Sequence, residues 1–213
     1  MYEFWVGVVS SLAASLVTVL LGWATSKRIR QTFRRIVLNI TKADIVERYE
    51  SQRSMAIAVE RELKGARQIR ILAGRGNELT SATFSGLWGR QISVKILLPD
   101  PDSAGPGSWI DDHEQEAAGY DSGHGGGLLV EQIKANILYI KTASRDVDRI
   151  MLRVYDFPAI GRIILSERRA FLTAYSDMQH GADSSAISVS AGHPIFNLCE
   201  RIFEKVWKVS REI

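Results

Sequence analysis

The sequence predicts an α/β fold, a mostly parallel sheet flanked by helices, preceded by one N-terminal transmembrane helix and a helical juxtamembrane linker. Three observations predict it. Residues 4–25 form an uncharged run that ends against Lys27, Arg28, Arg30, Arg34 and Arg35. Beyond residue 67, short β-branched runs bounded by Gly, Pro and Asp alternate with amphipathic helical segments, the pattern of βαβ units. Cys199 is the one cysteine, which excludes a disulfide framework and a cysteine metal cluster. The expected domains are a transmembrane helix at 1–26, basic juxtamembrane and connecting helices at 27–66, and a cytosolic α/β domain at 67–213.

An apolar run of about 20 residues, at 1.5 Å rise each, crosses a hydrocarbon core of roughly 30 Å. A cleaved signal peptide would open with a basic region. Here the early charge is Glu3 and the basic cluster follows the run. The Lys/Arg excess on the C-terminal flank places that side in the cytoplasm. The expectation is therefore a single-pass protein of the bacterial plasma membrane, N-terminus outside. Ser11, Ser15, Thr18, Gly22 and Thr25 recur at steps of four and three, with Gly7 one turn earlier. Small residues on one face let helices approach closely in lipid. The seam predicts a homo-oligomer, and in its sharper form a pore.

The net charge of +3 conceals an asymmetry: 12 Lys/Arg stand against 5 Asp/Glu between Ser26 and Arg70. The rest of the chain is mildly acidic. A basic strip beside a span is explained by topology and anionic headgroups. The expected partners are thus the lipid bilayer and further copies of the chain, with no direct DNA or RNA binding.

The elements follow in order. Residues 27–40 read as a basic amphipathic helix. Thr41 and Asp44 read as a helix start, with Ile45, Tyr49, Ala56, Val59 and Leu63 at helical spacing and Gly65 at the end. Strands are expected at 68–73 and 93–98, the second stopped by Pro99-Asp-Pro-Asp102. A short acidic helix at 111–118 interrupts a loop-rich stretch, and 128–142 is a clear amphipathic helix. Strands at 149–155, 161–165, 170–175 and 186–189 precede a final helix that begins near Pro194.

Two features could carry chemistry. Gly74-Arg75-Gly76-Asn77 follows a strand, where free backbone N–H groups and Arg75 could hold a phosphate. It is neither a Walker loop nor GxGxxG, because Leu79 stands at the third Gly. Its plainer reading is a tight strand-to-helix turn. The second feature is 155–162 with the strand pair that follows. Here the chain resembles the phospholipase D-like superfamily, at the strand pair that carries its HxKxxxxD signature and more loosely over 67–207. Laid on that signature, Ile160 falls at the His, Arg162 at the Lys and Glu167 at the Asp. The resemblance implies a phosphodiester-binding fold that has lost its nucleophile, with Arg162 left to bind phosphate bidentately.

Of the four histidines, His113 is not in an HExxH site, because residue 117 is Ala. His124 lies in a Gly-rich loop and His193 precedes the last helix. His180 is the one expected near Tyr175 and Arg162. No metal spacing and no cofactor motif is readable. The candidate ligand residues are Arg75, Gly76, Asn77, Arg162, Tyr175 and His180; no catalytic residue is assigned.

These readings predict a membrane-anchored sensor or effector. It would bind an anionic, nucleotide-like ligand and alter the association of its spans. The layout also resembles CRISPR-associated membrane effectors with a CARF domain, which implies a nucleotide second messenger and a role in antiphage defence. Two alternatives stand beside it. One is a phospholipase D-like phosphodiesterase or nuclease using His180 or His113. The other is a non-catalytic membrane scaffold for a protein partner.

Overall fold

The computed structural model describes residues 47–121, 123, 125–144, 149–175 and 181–213. The chain divides into two units, Met1–Asp44 and Ile45–Ile213. The apolar run, its seam Gly7, Ser11, Ser15, Thr18, Gly22 and Thr25, and the basic helix at 27–40 lie outside the described residues. Among the described residues no helix is long and apolar enough to cross a membrane. The α/β unit takes in much of the stretch assigned from sequence to connecting helices.

That stretch is not one helix. Strand β1 (Glu47–Tyr49) comes first, and helix α1 (Gln52–Gly65) follows. Ser51 sets the boundary. Its Oγ accepts from Ser54 N at 3.1 Å, and Ser54 Oγ accepts from Ser51 N at 3.2 Å. This reciprocal cap satisfies two orphan donors and starts the helix there. Tyr49, expected on the helix, is therefore in a strand that adds to a sheet edge. Met55, Val59 and Leu63, four residues apart, form the buried stripe of α1. Burying each side chain contributes about 1.5–3 kcal/mol.

Next come strand β2 (Gln68–Leu72), a 3-10 turn (Asn77–Thr80), the one-turn helix α2 (Ala82–Ser85) and strand β3 (Ser93–Pro99). Helices α3 (Trp109–Ala118) and α4 (Leu128–Ala143) follow. Then come β4 (Ile150–Tyr155), β5 (Gly161–Leu165), β6 (Arg169–Ala174), β7 (Ala186–Ser190), helix α5 (Pro194–Val209) and β8 (Arg211–Glu212). Edge strands β1 and β8, of three and two residues, were too short to show a period in the sequence.

The eight strands form one mixed sheet in the order β1-β7-β6-β5-β2-β3-β4-β8. Parallel pairing is confined to β2 with β3 and β3 with β4. The other five pairs are antiparallel, so the expected mostly parallel sheet is corrected. The reason lies in the connections. A parallel crossover needs a dozen or more residues, and the link between β5 and β6 has three, residues 166–168. Among the described residues, α-helices stand between the strands from β1 to β4 and between β7 and β8, and none stands between β4 and β7.

One connection shapes the site. From β4 to β5 the chain must pass three strand positions, roughly 14 Å at about 4.8 Å each. The five residues 156–160 cover that distance nearly extended, across the ends of β3 and β2. They bring Ala159 against the backbone of Gly74.

Alternate residues of the strands feed two cores. Ile69, Ile71, Val94, Ile96, Ile164 and Phe171 pack under α1, α2 and α4. Leu72, Leu97, Ile163, Leu165, Val189 and their neighbours pack under α5. His193 caps α5, its Nδ1 accepting from Ile195 N at 3.2 Å. Cys199 lies in this second core, where burial pushes its thiol up to about 12 and leaves it unreactive.

Glu167, matched in the sequence to the signature Asp, stands two residues beyond the far end of β5. It accepts from the backbone N–H of Arg67 at 3.2 Å and of Gln68 at 3.4 Å. Burial resists its ionisation, but these amides outweigh it and hold the carboxyl below its usual value. A depressed carboxylate stabilises the fold above the ordinary carboxylate range and stops doing so as pH falls through its folded value. Glu167→Gln is expected to lower stability at pH 7 by about 1 kcal/mol or less, given its exposure. Thermal melts should show the gap from wild type closing below about pH 4.

Candidate functional site

The turn after β2 is built by helix α4. Asn136 sits on the buried stripe of α4, between Ile133 and Ile140. Its Nδ2 donates to Arg75 O at 2.9 Å and to Asn77 Oδ1 at 2.7 Å. Gln132, one turn earlier, accepts from Arg75 Nη1 at 3.1 Å. Gly76 takes φ +83°, and a Cβ there would lie 2.9 Å from Leu98 Cδ2. The turn is thus fixed by glycine backbone geometry and by two amides of α4. Asn77 then starts the 3-10 turn that carries Glu78.

Glu78 points toward β5. Its Oε1 lies 3.0 Å from Arg162 Nη1, and the Arg162 side chain is 4 % exposed. Gln52, in the first turn of α1, approaches the same guanidinium. With its amide oriented to suit both neighbours, its oxygen accepts from Arg162 Nη1 at 2.7 Å and its nitrogen donates to Gly181 O at 3.2 Å. Thr173 is the cross-strand partner of Arg162 in the β5–β6 ladder. Among the described residues, three polar atoms here have no hydrogen-bond partner: Arg162 Nε, Thr173 Oγ1 and Glu78 Oε1. Glu78 Oε1 is close to Arg162 but outside hydrogen-bond geometry.

Tyr175, just past β6, completes the wall. Its hydroxyl accepts from Gly74 N at 3.3 Å. Burial and the Glu78 charge push it up to about 12, against the opposing pull of Arg162. It keeps its proton at physiological pH and remains a donor. Tyr155 ties down the end of β2, its hydroxyl donating to Ala73 O at 2.9 Å.

Gln52, Gly74, Arg75, Asn77, Glu78, Arg162 and Tyr175 line a cleft of about 670 Å³ beyond the carboxyl end of β2, roofed by the first turns of α1. Of the residues singled out in the sequence, Arg75, Asn77, Arg162 and Tyr175 line it. Gly76 shapes the turn behind them. His180 lies outside the described residues. Ile160 precedes β5 and its carbonyl accepts from Tyr175 N at 3.0 Å; an isoleucine there offers no nucleophile. Glu167 lies roughly 16 Å along the strand from Arg162, at 3.3 Å per residue, and does not join the site.

The cleft also holds residues that the sequence did not point to. Arg53 lines it and pairs with Asp183 at 3.4 Å. Tyr120 reaches it from the loop after α3, and His113 of α3, which the sequence had offered for the hydrolytic alternative, lines it as well. With Arg53, Arg75 and Arg162 against Glu78, the lining carries an excess of positive charge. Asn136 did leave a trace in the sequence, an amide on the apolar face of an amphipathic helix. Gln52 and Glu78 left none, because their roles depend on strands and helices far along the chain. Among the described residues no group of His, Cys, Asp and Glu could hold a metal ion.

No protein-family model matches the chain, and no curated protein matches it by sequence. Solved structures share its fold. TrmBL2, an archaeal chromatin protein described as showing a novel mode of DNA binding, matches with TM-score 0.51 at 11 % identity. The match covers 100 % of this chain and 68 % of TrmBL2. A phosphatidylserine synthase from Haemophilus influenzae Rd KW20 matches with TM-score 0.52 at 10 % identity, over 75 % of this chain and 37 % of the synthase. NucT from Helicobacter pylori matches with TM-score 0.47 at 11 % identity, over 76 % of this chain and 92 % of NucT. At such identities the likeness is one of fold. The synthase is in keeping with a phospholipase D-like fold. One expectation is corrected: DNA and RNA were excluded as partners, yet the fold is shared with a chromatin protein described as binding DNA. The bilayer, the homo-oligomer and the second messenger expected as partners find no support in these likenesses.

Gly76→Ala would force a left-handed backbone on alanine and press Cβ into Leu98. A loss of about 1–3 kcal/mol is expected, read as a lower denaturation midpoint.

Proposed function

We propose that the cleft binds a phosphate-bearing anion without cleaving it, as a degenerate phospholipase D-like domain. The observation that carries this reading is Arg162. It is 3 % exposed, its charge is met by one carboxylate, and its Nε has no partner. A buried guanidinium with unused donors is matched by the planar, multi-oxygen geometry of a phosphate. Arg75 and Arg53 add charge at the rim. Ile160 at the signature's nucleophile position supports binding over hydrolysis. Gln52 and Arg53 sit on the first turn of α1, which follows edge strand β1 in the chain. A ligand that drew Arg162 away from Gln52 would act on that turn, which is the physical content of a sensor.

A second reading has one observation in its favour. His113 lines the same cleft, so an imidazole is within the site although not at the signature position. It predicts slow hydrolysis of bis-(p-nitrophenyl) phosphate that His113→Ala abolishes.

The binding reading is tested by calorimetric titration and thermal melts of the full chain with inorganic phosphate and with a dinucleotide as phosphodiester probe. Ligand at 100 times its Kd should add about 2.7 kcal/mol to the stability. Arg162→Lys, which keeps the charge and loses the fork, should weaken binding by roughly tenfold or more. Equal binding by that variant, or no binding of either probe by wild type, would overturn the reading.

A further inference from the structure

The opposite face of the sheet carries a second cationic surface. On α5, Arg201, Lys205 and Lys208 recur at steps of four and three, which places them on one side of the helix. Arg153 on β4 and Trp207 lie with them around one shallow surface depression. Lys95 of β3 adds a further cation, its Nζ 5.1 Å from the Trp207 ring centroid, and Arg153 lies at 4.9 Å. Trp207 also stacks on Phe203 at 5.7 Å. The ring therefore holds two cations in place and is itself held by the core. Two carboxylates stand at this surface: Glu204 lines the depression and pairs with Arg70 at 3.0 Å, and Glu212 pairs with Arg153 at 3.2 Å, so Arg201, Lys205 and Lys208 supply most of its net charge. The chain beyond Arg70 is mildly acidic, so this surface is a local concentration of charge.

We infer that this surface binds the phosphate backbone of duplex nucleic acid, independently of base sequence. Three properties favour that occupant. The cations are repeated along a straight helix, over about 10 Å from Arg201 to Lys208. A duplex presents about six phosphate charges over that length. The half-buried tryptophan is already covered by Phe203 and by cations, so no apolar slot remains for a peptide side chain. Arg153 and Lys95, fixed by strands and by the tryptophan, extend the row sideways off the helix and suit a rigid partner with charge on a broad face. The surface lies across the sheet from Arg162, so it stands or falls separately from the cleft.

The test uses the full chain and a fluorescein-labelled 20-base-pair DNA duplex, read by anisotropy at several salt concentrations. The control is the triple variant Arg201→Ala, Lys205→Ala, Lys208→Ala, whose substitutions are on the surface. The basic N-terminal segment is common to both proteins, so the comparison isolates α5. Wild type is expected to bind with affinity that falls steeply with salt. The triple variant should bind roughly tenfold or more weakly at 50 mM salt, with a salt slope shallower by about three. Two duplexes of unrelated sequence should bind alike. Equal affinity and slope for the triple variant would overturn the inference. So would absence of binding at 50 mM salt, or an equal dependence on these three residues for vesicles of anionic phospholipid. A circular dichroism melt of the variant that matches wild type ties any loss to the surface.

Discussion

A guanidinium cannot shed its proton to escape burial, so Arg162 has to be compensated where it lies. That requirement organises the cleft. Glu78 supplies the opposing charge and Gln52 an oxygen. Each comes from a different element: the 3-10 turn after β2 and the first turn of α1. Holding both at one guanidinium requires the β2 turn to be rigid, which is the work of Gly76 and of the amides on α4. The charge remains under-satisfied even so, since Arg162 Nε has no acceptor. A site built for stability alone would be better served by apolar residues of similar volume. The residual donor is the physical basis for reading the cleft as a binding site.

The topology explains why the cleft forms at this end of the sheet. The extended crossing at 156–160 runs over the ends of β3 and β2 and delivers Arg162 at the very start of β5. The antiparallel β5–β6 pair then returns Tyr175 to the same end, where its hydroxyl meets Gly74. A purely parallel sheet would send those side chains to opposite ends. The mixed sheet is therefore the device that brings the cleft together. Among the described residues the other face of the same sheet is covered mainly by α5, with Trp109 of α3 packed at one end. That leaves the flank around Trp207 open to solvent and free to carry charge.

The two cationic regions differ in kind. Arg162 is buried and paired, so its electrostatics are strong and weakly screened by salt. Arg201, Lys205 and Lys208 lie along the surface of α5 and act through long-range, salt-dependent attraction. The first suits recognition of one phosphate group, the second attraction of an extended polyanion. Neither role follows from the net charge of the chain, because acidic residues elsewhere conceal both.

The sequence by itself determined the α/β class, most strand and helix positions, and the absence of a nucleophile at Ile160. Those follow from local periodicity and from residue chemistry, which need no partner to be read. It also marked Arg75, Asn77, Arg162 and Tyr175, which the structure brings to one cleft. It misplaced the start of α1, because the reciprocal Ser51–Ser54 cap starts the helix there and residues 47–49 pair with β7 as a strand instead of continuing a helix. It gave the wrong strand directions, because periodicity is the same for parallel and antiparallel neighbours. Tertiary structure alone decided that Glu78, not Glu167, faces Arg162, since the pairing spans 84 positions of sequence and depends on β2 lying beside β5. Contacts closed over such separations are fixed by the register of the whole sheet, which no local pattern encodes.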